Sequence, residues 1–123
     1  MSYSTKEIWI PCDTVPEELG ADGVESDVEP ILSGGAGIPR GILYGVHGII
    51  SASGGNVEVR VYNNDAKERE LFKTTLNFDG GVEQASDVGL SIPMFSTPQY
   101  TTEADATSAG DGFNITFYVK ALA

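Results

Sequence analysis

The chain is poor in cysteine, histidine and positive charge, and each shortage removes a class of function. Cys12 is the one cysteine among 123 residues, so an intrachain disulfide and the four-thiol or Cys/His frameworks of structural zinc are excluded. A lone thiol fits folding in a reducing cytoplasm. Seven basic residues stand against 18 acidic ones, a net charge of −11. That balance disfavours nucleic acid and anionic membrane surfaces as partners, because both need clustered Lys and Arg. The apolar runs are only a few residues long, far short of the roughly 20 that span a bilayer as a helix. Met1 to Glu7 has neither the basic start nor the apolar stretch of a secretory signal, so a water-soluble protein that is not exported by that route is expected.

What is present divides into two regions. Between Pro11 and Pro39 lie seven carboxylates (Asp13, Glu17, Glu18, Asp22, Glu25, Asp27, Glu29), four prolines and no basic residue. Such a segment has little apolar area to offset its ordering entropy, which predicts an extended, mobile arm over residues 1–40. Glu7-Ile8-Trp9-Ile10 ahead of it reads as a short edge strand ended by Pro11. Pro16-Glu17-Glu18-Leu19 has the chemistry of a single helical turn closed by Gly20.

From Gly41 the rhythm changes to period two, and residues 41–123 are expected to form the folded domain. Ile42, Tyr44, Val46, Gly48, Ile50 and Ala52 share one strand face, ended by Ser53-Gly54-Gly55-Asn56. Val57, Val59 and Val61 alternate with Glu58, Arg60 and Tyr62, the pattern of a half-buried antiparallel strand. Phe72, Thr74, Leu76 and Phe78 form a third face before Asp79-Gly80-Gly81. Val88, Leu90, Ile92 and Met94 suggest a fourth strand, and Gln99 to Glu103 a short fifth. Phe113, Ile115, Phe117, Val119 and Ala121 follow the Ala109-Gly110-Asp111-Gly112 turn with clear alternation. Helix signals are weak, one charged turn over Ala66 to Leu71 being the other candidate. The expected fold is all-β: an antiparallel β-sandwich or a jelly-roll-like barrel.

No residue set carries catalytic chemistry. Gly34-Gly35-Ala36-Gly37-Ile38-Pro39-Arg40-Gly41 resembles a phosphate loop only in glycine content, because no Lys-Ser/Thr pair opens a helix after it; it reads as a flexible joint. A Cys12-His47 nucleophile pair has no surrounding motif, and neighbouring carboxylates oppose a thiolate at Cys12. Asp22, Glu25, Asp27 and Glu29 are oxygen ligands of the kind calcium prefers, without the alternation of an EF-hand loop, so no metal site and no cofactor are assigned. The aromatics follow strand alternation, as core packing requires. Trp9 stands apart, next to the arm, as a candidate anchor in a neighbouring subunit.

The extended acidic N-terminal portion from Ser2 to Pro39, the sandwich opening at Gly41, the Ser53-Gly54-Gly55 and Asp79-Gly80-Gly81 turns and the final strand from Phe113 to Val119 together resemble small β-sandwich virion proteins of tailed bacteriophages, in particular capsid decoration (cement) proteins. The resemblance implies a non-enzymatic, cofactor-free protein, often trimeric, made in the host cytoplasm and seated on the capsid surface. It would clamp the major capsid protein through loops and arm. Trp9, Glu17, Glu18, Asp22, Glu25, Asp27 and Glu29 are then the expected contacts, since an acidic arm suits a basic surface. A tail, fibre or head-completion subunit, or a carbohydrate-binding β-sandwich, would share the fold.

Overall fold

A computed structural model describes residues 7–38, 40–51, 54–95, 97–105 and 112–122, the side chains of 7–11 and 121–122 excepted. Most of the period-two segments do become strands, and every paired strand is antiparallel. In chain order they are β1 (Glu7–Pro11), β2 (Val15–Glu18), β3 (Glu29–Pro30), β4 (Leu32–Ser33), β5 (Ala36–Gly37), β6 (Arg40–Ile50), β7 (Asn56–Tyr62), β8 (Glu70–Asn77), β9 (Gln84–Asp87), β10 (Ile92–Phe95), β11 (Gln99–Asp105) and β12 (Gly112–Leu122). Among the described residues a single 3-10 turn, Asp79–Gly81, interrupts the sequence of strands. The protein is thus an all-β domain of three antiparallel sheets, none of which closes on itself among the described residues.

The first sheet is built on the two longest strands. β12 pairs with β6 from Phe113 opposite Ile50 to Lys120 opposite Ile42. Each long strand then takes a two-piece strand on its free side: β1 and β2 lie end to end along β12, and β9 and β10 along β6. The second sheet runs β3-β11-β7-β8, and the third is the β4-β5 hairpin. Both larger sheets feed one core. Leu43, Val46, Ile50, Phe113, Ile115, Phe117 and Val119 come from the first; Val57, Val59, Val61, Leu76, Tyr100 and Ala104 come from the second. Rings cross between the sheets, Tyr100 to Phe117 at 5.0 Å between centroids and Phe78 to Phe113 edge-on at 6.1 Å. Burying each such side chain contributes roughly 1.5–3 kcal/mol. Gly48 lets the layers meet, since a Cβ there would lie 2.6 Å from the Phe113 ring and 2.8 Å from Leu76 Cδ1.

Five expectations are corrected. The acidic segment is no separate arm: Cys12, Leu19, Ile31 and Ile38 are buried in the common core, and β1 and β2 are edge strands of the first sheet. The free edges of β12 and β11 give this polar chain backbone partners, which its own composition cannot supply. For the same reason Val15–Glu18 is a strand rather than a helical turn. On β6 the pairing slips between Tyr118 opposite Gly45 and Val119 opposite Leu43, so Tyr44 is an extra, bulged residue. Leu43 is therefore buried where alternation alone placed Ile42 and Tyr44. The expected strand over Val88 to Met94 is broken; Gly89 has φ 79° and the Leu90 N–H donates to the Tyr44 carbonyl at 2.8 Å, filling the gap opposite the bulge.

The glycine-rich stretch is also more ordered than a joint. Gly34 and Gly35, with φ of 61° and 79°, form the two-residue tip of the β4-β5 hairpin, a primed turn that glycine adopts without steric cost. Their N–H groups donate to Asp13 Oδ1 and Oδ2, each at 2.8 Å. One carboxylate thus ties the start of the acidic segment to its end. Ala52, Ser53 and the expected turn residues Ala109 to Asp111 lie outside the described residues.

Candidate interaction surface

The acidic segment lies along one lateral edge of both larger sheets. β2 borders β12, and the chain then passes Leu19, 2% exposed, to reach the second sheet. There Gly23 and Ser26 donate their N–H groups to the Ala104 and Thr102 carbonyls, Glu25 bridges to Glu103, and β3 pairs with Gln99 and Tyr100. The opposite edge is formed by β9 and β10 in the first sheet and β8 in the second. A side-chain clasp joins the sheets at each edge: the Tyr100 hydroxyl donates to Glu17 Oε1 at 2.8 Å, and Thr74 Oγ1 to Asp87 Oδ2 at 2.8 Å.

Glu25 is the hub of the acidic edge. Its Oε2 accepts from Arg60 Nη1 at 2.8 Å, from the Tyr62 hydroxyl at 2.7 Å and from Thr101 Oγ1 at 2.8 Å, and Lys67 Nζ donates to its Oε1. Lys67 makes that contact from a left-handed backbone at φ 56°, a conformation costing roughly 1–2 kcal/mol for a residue with a Cβ. Burial opposes ionisation of Glu25, but the bonds from Lys67, Tyr62, Arg60 and Thr101 outweigh it and hold the carboxyl down at about 2. The Arg60 guanidinium also meets Glu58, and Glu103 at 3.2 Å, and its pKa is raised, chiefly by the bond to Glu25. Burial first and then Glu25 push the Tyr62 phenol up; burial and then Glu17 do the same for Tyr100.

The expected contact residues therefore split into two groups. Glu17 and Glu25 are half-buried and turned to partners within the chain. Glu18, Asp22, Asp27 and Glu29 are exposed along the same edge, with Val24 among them at 58% exposure. Trp9 holds its backbone place opposite Lys120, and its side chain lies outside the described residues. Sequence reasoning missed Arg60 as an organising residue and Asp13 as a turn anchor. The signal was there for Arg60, a lone cation between Glu58 and Tyr62 on a strand face, but nothing local pointed to Glu25.

Cys12 and His47 lie on different sides of the first sheet. Cys12 is in the core, where burial and then Asp13 push its thiol up to about 11, and His47 is half-buried with Nδ1 2.8 Å from Ser86 Oγ. Among the described residues no group of three His, Cys, Asp or Glu side chains is placed to hold a metal ion. Compared with protein-family models, with curated proteins and with solved structures, the chain matches none.

Proposed function

We propose that the protein is a non-enzymatic structural subunit, an antiparallel β-sandwich that binds and stabilises the capsid lattice of a tailed bacteriophage through its acidic edge. The observation that carries this reading is the exposed row Glu18, Asp22, Asp27 and Glu29, held on a rigid sheet edge by Glu25 and Leu19 rather than spread along a loose tail. A carboxylate row of this kind complements a basic protein surface and steers encounter with it. Because the segment is already ordered by the core and by Arg60, docking is spared most of the entropy that a free arm would lose. Repetition over a symmetric lattice then multiplies weak contacts into a firm hold. The sandwich assignment is supported by the rings and clasps that join the two sheets.

The test is cosedimentation of purified protein with particles of its source. The triple variant Glu18→Lys/Asp27→Lys/Glu29→Lys is expected to lose about tenfold in affinity, or about 1.4 kcal/mol, and wild-type binding to weaken with salt. Unchanged saturation by the variant would remove the acidic edge from the interface. Electron microscopy of labelled particles separates a capsid position from a tail, fibre or head-completion position. A glycan-binding reading has one observation in its favour, a hollow of about 270 Å³ lined by Tyr44, His47, Ser86, Val88 and Tyr118 on the first sheet. It falls short of the roughly 300–1,000 Å³ usual for ligand pockets, and silence on a glycan array would end it.

A further inference from the structure

The edge opposite the acidic row has the complementary chemistry. Phe95, at the end of β10, is 66% exposed, the most exposed of the large apolar side chains among the described residues. Two hollows of about 460 and 390 Å³ flank it, and both are lined by Pro93 and Phe95. Arg69 lines the first and Arg40 the second. Both arginines are exposed, and neither joins an ion pair among the described residues. Arg60 and Lys67 are committed to Glu25 instead, and Glu70, which shares the first hollow, lies 3.8 Å from the Arg60 Nε. In a chain of net charge −11, two guanidiniums that no carboxylate claims among the described residues, set around an exposed aromatic ring, make this the place where an acidic surface meets uncommitted positive charge.

We propose that this edge receives the acidic edge of a second copy, Phe95 packing on Val24 while Arg40 and Arg69 pair with carboxylates such as Glu18 and Asp27. The two faces lie at opposite ends of the same sheets in hydrogen-bond order, so the contact is head-to-tail and builds a closed ring or an open row rather than a two-fold pair. Pro93 in β10, Pro16 in β2 and Pro30 in β3 remove backbone donors from the meeting strands. Side chains, not a continued ladder, therefore hold the copies together. The inference rests on the acidic edge being a protein-docking face and gives part of that face a basic partner; Glu29, outside the pairs named, is left to a lattice that linked copies grip by repetition.

The test is sedimentation of the full chain without particles, using two variants with one neutralised edge each: Arg40→Gln/Arg69→Gln/Phe95→Ser and Glu18→Gln/Asp27→Gln/Val24→Ser. All six positions are exposed, and circular dichroism checks that each variant keeps its strands. Wild type is expected to exceed the 13.0 kDa of one chain and to grow with concentration, and each variant to stay single. An equimolar mixture of the two, having one intact edge of each kind, should stop at a dimer. A wild-type chain that stays single up to about 1 mM, assembly that survives in either variant, or a mixture that forms no dimer would each overturn the proposal. A single chain that still binds particles through its acidic edge removes this inference alone and leaves the proposed function standing.

Discussion

Residues 12–38 and residues 40–122 reach the same core by different means. The later region does it through alternation: nearly every second side chain of β7 and β12 is buried, and each strand would be recognised alone. The earlier region supplies four buried anchors, Cys12, Leu19, Ile31 and Ile38, spaced among carboxylates, and is held between them by polar bonds to strands already in place. The difference teaches that a polar, proline-rich segment can be structural when sheet edges offer it backbone partners. Its ordering is then a property of the host sheets rather than of the segment.

The comparison can be broken by mutation. Phe113→Ala, at the crossing of the two sheets, is expected to cost about 3–5 kcal/mol in urea denaturation. Ile31→Ala, in the acidic segment but 1% exposed, is expected to cost about 2–5 kcal/mol; a change under about 0.5 kcal/mol, typical of surface sites, would return the segment to the status of an appendage. Asp13→Ala leaves two exposed turn N–H groups to water in place of their carboxylate, with an expected loss of about 0.5–1.5 kcal/mol and faster hydrogen exchange at Gly34 and Gly35.

The smallest and most specific effect concerns pH. Glu25 titrates at about 2 in the folded chain against an ordinary 4.5, so its contribution is complete above about pH 4.5 and disappears as pH falls towards 2. Glu25→Gln should therefore lower the thermal midpoint near neutrality and converge with wild type towards pH 2. Two melting curves that run parallel across that window would mean that the carboxylate bonds do not hold the segment.

Legibility followed the source of order. Val57, Val59 and Val61 were readable because alternation is a local signal, and they are buried as expected. Gln99 to Glu103 looked like a minor strand, yet β11 is internal to its sheet, with Tyr100, Thr101 and Thr102 all buried; Thr101, polar in composition, lies opposite Arg60 and donates to Glu25, while Thr102 shares the core face with Val59. The acidic row was legible as a set of residues, but its division was not, since Glu17 and Glu25 are claimed by Tyr100 and Arg60, 83 and 35 positions away. The Phe95 edge had no sequence signal, because Arg40, Arg69 and Phe95 are brought together only by the β6-β10 pairing and the approach of β8.

By itself the sequence determined the all-β class, the antiparallel character and the side chains that β7 and β12 turn inward, because period-two burial is encoded between neighbours a few residues apart. Only the tertiary structure decided that the acidic segment belongs to the core, that Tyr44 is bulged, and that the exposed row Glu18, Asp22, Asp27 and Glu29 lies on the edge opposite Arg40 and Arg69. Those outcomes depend on which strand edges remain unpaired and on partners far apart in the chain, and no local pattern of residues carries that information.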